Sequence, residues 1–130
     1  MAKIMMHGCR WFLGVVFLVA GVNGYVVIFG LDPFIATSEE AMALFEFEYL
    51  LIIEKSLEIV CGLLLLTNQF MPLALAVLAP IVANILLLHL FLDPSLLLLA
   101  IALMIAHIYL IFFYRENFMA LLERKPDISK

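Results

Sequence analysis

Four apolar stretches, each about as long as a bilayer core is thick, constrain this chain more than any other feature. They run over residues 9–29, 47–66, 71–92 and 95–114. A helix rises about 1.5 Å per residue, so roughly 20 apolar residues cross a hydrocarbon core of about 30 Å. A helix also satisfies its own backbone hydrogen bonds, which lipid cannot do for it. Of the 130 residues, 67% are hydrophobic and 14% charged, whereas a soluble domain is about half apolar. The expectation is an all-α membrane protein: a four-helix transmembrane bundle, one domain over residues 1–130. The first stretch follows Lys3 and overlaps Arg10, as in a secretory signal. It is longer than a signal core and has no clear small-x-small cleavage site, so it reads as an uncleaved first span.

Turn residues separate the stretches. Pro33 in Gly30-Leu31-Asp32-Pro33 ends the first helix, since the residue before a proline avoids helix. Thr37-Ser38-Glu39-Glu40 has the T-x-x-E form of a capping box, which predicts a second helix starting near Ser38 and entering the membrane around Phe47. Thr67-Asn68-Gln69 reads as a tight turn. Asp93-Pro94-Ser95 reads as a turn followed by a helix start. The tail from Glu116 is polar and is expected to be partly helical before Pro126.

Charge gives an orientation. Lys3 and Arg10 stand at the start; Arg115, Arg124, Lys125 and Lys130 follow the last span. The 32–46 and 93–94 connections carry acids and no bases. By the positive-inside rule both termini are cytoplasmic and the acidic loop faces out, as in a multi-pass protein of a bacterial inner membrane. Trp11 and Tyr114 then lie at the inner interface and Tyr49 near the outer one.

Against this apolar background, a few polar groups stand out. The second stretch holds Glu54, Lys55 and Glu58 near its middle. Each charge at that depth costs about 2.5–3.5 kcal/mol on insertion scales, so such residues face a protein interior and find partners. Glu54 and Glu58 share a helix face, and Lys55 can pair with Glu58. The excess negative charge suits a proton-binding or cation-binding site; a structural cluster that clamps helices together fits equally well. At similar depth lie Asn23 on the first helix and Asn84 on the third, both also readable as interhelical hydrogen-bonding glue. Pro80 frees the Ala76 carbonyl and predicts a kink in the third helix. His89 and Asp93 are four apart, a spacing that could hold a metal or relay a proton. His107 reads as a packed, hydrogen-bonded histidine. With so few histidines and no E-x-x-H pair, no metal centre is expected. The pocket candidates are therefore Asn23, Glu54, Lys55, Glu58, Asn84 and His89.

Several classes are disfavoured. Cys9 and Cys61 form no C-x-x-C, which argues against a dithiol redox centre. No nucleotide loop, nucleophile elbow or zinc signature is present, so no cofactor is expected, and nothing supports nucleic-acid binding. Gly14, Gly21, Gly24, Ala102 and Ala106 supply small residues for close helix contact and make a homodimer reasonable.

Three segments carry a resemblance: F-L-V-A-G-V-N-G-Y from Phe17, E-I-V-C-G-L-L-L-L from Glu58, and the run from Pro72 to Pro94 with Pro80, Asn84 and His89. The chain resembles, over nearly its whole length, the DoxX-like small integral membrane proteins. The resemblance implies a four-helix membrane bundle with both ends cytoplasmic, and carries weight at Asn23, Glu58, Pro80, Asn84 and His89. Members of that family often have a lysine where this chain has Gly24, a role that Lys55 could take. The resemblance also implies an association with membrane oxidoreduction or with membrane-protein assembly. Three functions follow as expectations: an accessory subunit or assembly helper of a membrane (oxidoreductase or respiratory) complex; a small proton-linked transporter; or a membrane protein that binds a quinone or another small molecule in an intramembrane pocket. With no electron-carrying cofactor of its own, the chain would at most house a redox substrate for a partner subunit.

Overall fold

The structure, a computed structural model, describes residues 1–36, 39–43 and 46–129. All regular elements among them are helical: α1 (Ala2–Ile28), α2 (Glu39–Ala43), α3 (Glu48–Thr67), α4 (Met71–Phe91), α5 (Leu97–Phe113) and α6 (Arg115–Phe118). Short 3-10 turns cover Pro94–Leu96 and Met119–Leu122. Three segments are long and apolar enough to cross a membrane: Ala2–Ile28, Met71–Phe91 and Pro94–Phe113. They point to an integral membrane protein in contact with lipid. On their outer faces Leu73, Leu87, Ile105, Ile108 and Phe112 are exposed, an apolar exterior that water would not tolerate over so wide an area.

Local chemistry sets the ends of the helices. Gly30 closes α1 in the left-handed region, φ +77°, where a missing Cβ removes the strain. The Gly30 and Leu31 amides donate to the Val27 and Val26 carbonyls, at 2.9 and 3.0 Å, a Schellman closure. Asn68 does the same for α3 at φ +56°, with Gln69 N–H donating to Leu64 at 3.0 Å. The expected turn at Thr67–Gln69 is therefore present, and asparagine is among the few residues that tolerate it. The Asp93 carboxylate accepts the Ser95 amide at 3.2 Å and caps the turn leading into α5.

Two details differ from the sequence expectation. α1 begins at Ala2, a full two turns before Cys9; Lys3–Gly8 holds no proline, and Gly8 alone does not break the helix. The second helix is not continuous from Ser38: α2 ends at Ala43, Phe47 is extended at φ −94° and ψ 118°, and α3 starts at Glu48. Thr37 and Ser38 of the capping box lie outside the described residues. α4 runs helical through Pro80, where a kink was expected within a continuous helix.

Packing follows the cyclic order α1, α3, α4, α5 and back to α1. The closest approach is between α1 and α3, and glycine makes it. A Cβ added to Gly62 would fall 2.9 Å from the Leu18 amide nitrogen, and one added to Gly14 would fall 3.3 Å from the Gly62 carbonyl. Gly21 sits equally tightly against the Lys55 carbonyl. The α1 glycines are thus used inside the chain. Ala106 is buried, whereas Ala102 is exposed and takes no part in the core. Leu13, Phe17, Leu65, Leu75, Leu78, Val82 and Leu110 fill the centre.

Polar ties hold the end that carries the N-terminus. Arg10 is buried and donates from Nη1 to the Leu65 and Leu66 carbonyls, at 2.6 and 2.9 Å. Both carbonyls lie in the last turn of α3, where a cation is favoured by the helix dipole as well. Tyr109 donates to the Ala2 carbonyl at 3.2 Å and Tyr114 to the Met6 sulfur at 3.8 Å, so the start of α1 and the end of α5 lie together. His107 is buried and donates from Nε2 to the Leu75 carbonyl at 2.9 Å, joining α5 to α4. It is the packed, hydrogen-bonded histidine expected from sequence.

Candidate functional site

Above the glycine contact the helices enclose a partly open cavity of about 580 Å³, within the range of small-molecule sites. α1, α3, α4 and the start of α5 supply its walls, and Ile35, Ala36 and Met42 from the acidic loop cover part of it. All six pocket candidates line it: Asn23, Glu54, Lys55, Glu58, Asn84 and His89. Sequence spacing suggested similar depth for most of them; the fold adds that they face one space.

The charged group is built on α3. Lys55 Nζ lies 3.2 Å from Glu58 Oε2 and 3.5 Å from Oε1, so the i, i+3 pair is hydrogen-bonded. Glu54 Oε1 stands at 3.8 Å from the same nitrogen, outside hydrogen-bonding range. Glu58 is 1% exposed, while Lys55 and Glu54 each keep about a fifth of their side-chain surface. The lysine stem has a specific seat: a Cβ at Gly24 would overlap its methylenes. Gly24 therefore leaves the space that Lys55 fills, and the ammonium reaches the cavity wall from α3. Nearby, the Tyr25 and Ser56 hydroxyls hydrogen-bond across the α1–α3 contact.

Asn23 corrects its sequence reading. It is buried, but its partner is not another helix. Nδ2 donates to the Ile35 carbonyl at 3.0 Å and Oδ1 accepts the Ile35 amide at 3.1 Å. This two-point clamp fastens the loop after α1 over the cavity. No side-chain pattern marks Ile35 as the partner, because the contact is to its backbone.

Asn84 likewise glues no helix: it is exposed on the cavity wall and makes no side-chain hydrogen bond among the described residues.

His89 Nδ1 lies 2.7 Å from the Asp93 backbone carbonyl and 4.0 Å from Asp93 Oδ2. A carbonyl only accepts, so Nδ1 carries a proton and donates to it. The expected His89–Asp93 pairing is thus made through the backbone. No group of three or more His, Cys, Asp or Glu residues arranged to hold a metal is found among the described residues. Asp93 and Ser95, beyond the six candidates, also line the cavity; their sequence signals were the spacing of Asp93 from His89 and the helix-start pattern of Asp93-Pro94-Ser95.

Compared with known proteins, the chain matches no family model, no curated protein and no solved structure.

Proposed function

We propose that this chain is a four-span, DoxX-like membrane protein whose cavity binds a small, membrane-dissolved molecule. The observation that carries the reading is convergence: six polar side chains from three helices line one cavity, and one of them, Glu58, is a fully buried ionisable group. Ionisable residues at membrane depth are costly, and they mark sites more often than packing. In this reading α3 is the fourth span. It has 20 residues, and its three mid-helix charges lie on the cavity wall rather than toward lipid. The positive-inside rule puts Lys3, Arg10 and Arg115 on the cytoplasmic side of a bacterial inner membrane, and the cavity in the outer half.

The family resemblance supports a helper role beside this binding. The protein would hold a small molecule for a membrane oxidoreductase complex, as an accessory subunit without redox chemistry of its own. A homodimer would have to use a face other than the buried glycines of α1, such as the one that presents Ala102. Native mass spectrometry of the gently extracted protein tests the reading. The expected result is a bound small molecule that Glu58→Gln and Asn84→Leu both lose. A partner protein in the same spectra would identify the complex. Wild-type protein that carries no small molecule, and takes up none on addition, overturns the binding reading.

A further inference from the structure

Charge and access together narrow what the cavity can take, on the reading that it binds a small molecule at all. Its described walls hold three carboxylates, Glu54, Glu58 and Asp93, against one ammonium, Lys55. Lys55 is hydrogen-bonded to Glu58 and holds Glu54 in a longer ion pair at 3.8 Å, so one ammonium serves two carboxylates. The Asp93 carboxylate accepts the Ser95 amide at the cavity edge. His89 Nδ1 donates to the Asp93 carbonyl. The loop over the cavity adds Asp32, Glu39, Glu40 and Glu46, while Lys3, Arg10 and Arg115 belong to the opposite end. A low-dielectric cleft with one sign of charge concentrates ions of the other sign.

Apart from Asn23, Asn84 and Ser95 the remaining walls are apolar, and the cavity is partly open. α1 and α5 are tied at the basic end by the Tyr109–Ala2 and Tyr114–Met6 hydrogen bonds. Toward the other end, Val15 and Val19 of α1 and Leu96 and Leu99 near the start of α5 both line the cavity and remain exposed. Residues that do both mark a gap between the two helices, facing where acyl chains would lie.

We infer that the cavity takes a lipophilic monovalent cation, an organic ammonium or one of similar charge and bulk, which enters sideways from the bilayer between α1 and α5 and sets its charge against Glu54. Its apolar body lies on Phe17, Leu51 and Leu103. Asn84 and the free Nε2 of His89 accept or donate hydrogen bonds to whatever polar groups the ligand carries.

Two ions of the same shape and opposite charge test this directly. Tetraphenylphosphonium and tetraphenylborate are offered to wild-type protein in nanodiscs, and binding is followed by equilibrium dialysis against empty nanodiscs. The expected result is saturable binding of the phosphonium alone, weakened about tenfold or more by Glu54→Gln. Equal binding of both ions, or phosphonium binding unchanged by Glu54→Gln, overturns the cation assignment. Binding of the borate, or of a neutral amphiphile, without the phosphonium leaves the binding function standing and removes only its charge preference. Binding of none of these removes both. The route is tested with Val19→Trp/Leu99→Trp, which is expected to slow association and dissociation about tenfold each. Unchanged rates overturn the lateral entry.

Discussion

At the basic end of the molecule, α1 and α3 approach until no Cβ fits between Gly62 and the Leu18 backbone, and Arg10 covers the last carbonyls of α3. Toward the acidic end the same two helices carry a lysine side chain between them, and beyond it lies open space lined with carboxylates. One half is dry and held by backbone contact, with its polar groups matched to carbonyls. The other half encloses volume and holds its charges in pairs and near-pairs. A membrane protein gains little from burying one apolar helix against another, because lipid is as apolar as leucine. Close van der Waals contact and hydrogen bonds must then hold the helices, and the glycine half supplies both. That leaves the opposite half able to carry a cavity. The comparison also separates two uses of buried charge: Arg10 completes a helix end, whereas Glu58 and Lys55 face a space.

The sharpest way to break the comparison is to leave Glu58 without its cation. Lys55→Met should cost about 3–5 kcal/mol, as when one partner of a buried pair is removed. Lys55→Met with Glu58→Leu should recover most of that loss. Denaturant unfolding in mixed micelles reads both. Equal loss in the single and double variants would mean that the pair itself holds the helices, and that the two halves are not distinct in kind.

At the other end, Arg10→Met should cost about 1.5–3 kcal/mol, the worth of a charged group's hydrogen bonds. It should leave ligand binding in the cavity unchanged. Loss of binding without loss of stability would couple the two halves more tightly than the geometry implies.

Glycine offers a contrast within α1 and α3. Gly62→Ala is expected to destabilise by about 1–3 kcal/mol, since the Leu18 and Gly14 backbones must move. Gly8→Ala meets nothing within 4 Å and should stabilise by about 0.5–1 kcal/mol through helix propensity. Thermal unfolding of the two variants side by side measures the difference. A neutral Gly62→Ala would remove the close contact from the account of the dry half.

The smallest effect concerns the loop. Asn23→Ala removes two hydrogen bonds to Ile35, worth about 0.5–1.5 kcal/mol each. The loss should be local. Hydrogen exchange at Ile35 should speed up while exchange in the α1–α3 core stays as slow as in the wild type. Faster exchange throughout would mean that the clamp holds the whole α1–α3 pair and not the cavity cover.

Much of the fold was legible in the chain. The apolar stretches predicted the long helices to within a few residues at most ends, because length and apolarity are properties of sequence alone. The turn at Asn68 and the break after Gly30 were equally readable, since few residues accept a positive φ. The Lys55–Glu58 pair followed from helical spacing. Other features were not legible. Arg10 read as a flanking charge near the membrane surface, and only the fold brings the end of α3 within reach of its guanidinium. Asn23 read as a tie between helices, and only the loop's path gives it Ile35. The break between α2 and α3 escaped notice because no proline or glycine marks it.

The sequence by itself determined that this chain forms long apolar helices with ionisable groups inside the second, since composition and periodicity act along the chain. Tertiary structure alone decided that Asn23, Glu54, Lys55, Glu58, Asn84 and His89 line one cavity, and that the glycines meet α3 rather than another copy of the chain. Those facts depend on how the helices rotate and cross. In an apolar medium that is set by the fit of side chains such as Lys55 over Gly24, which no single stretch of sequence contains.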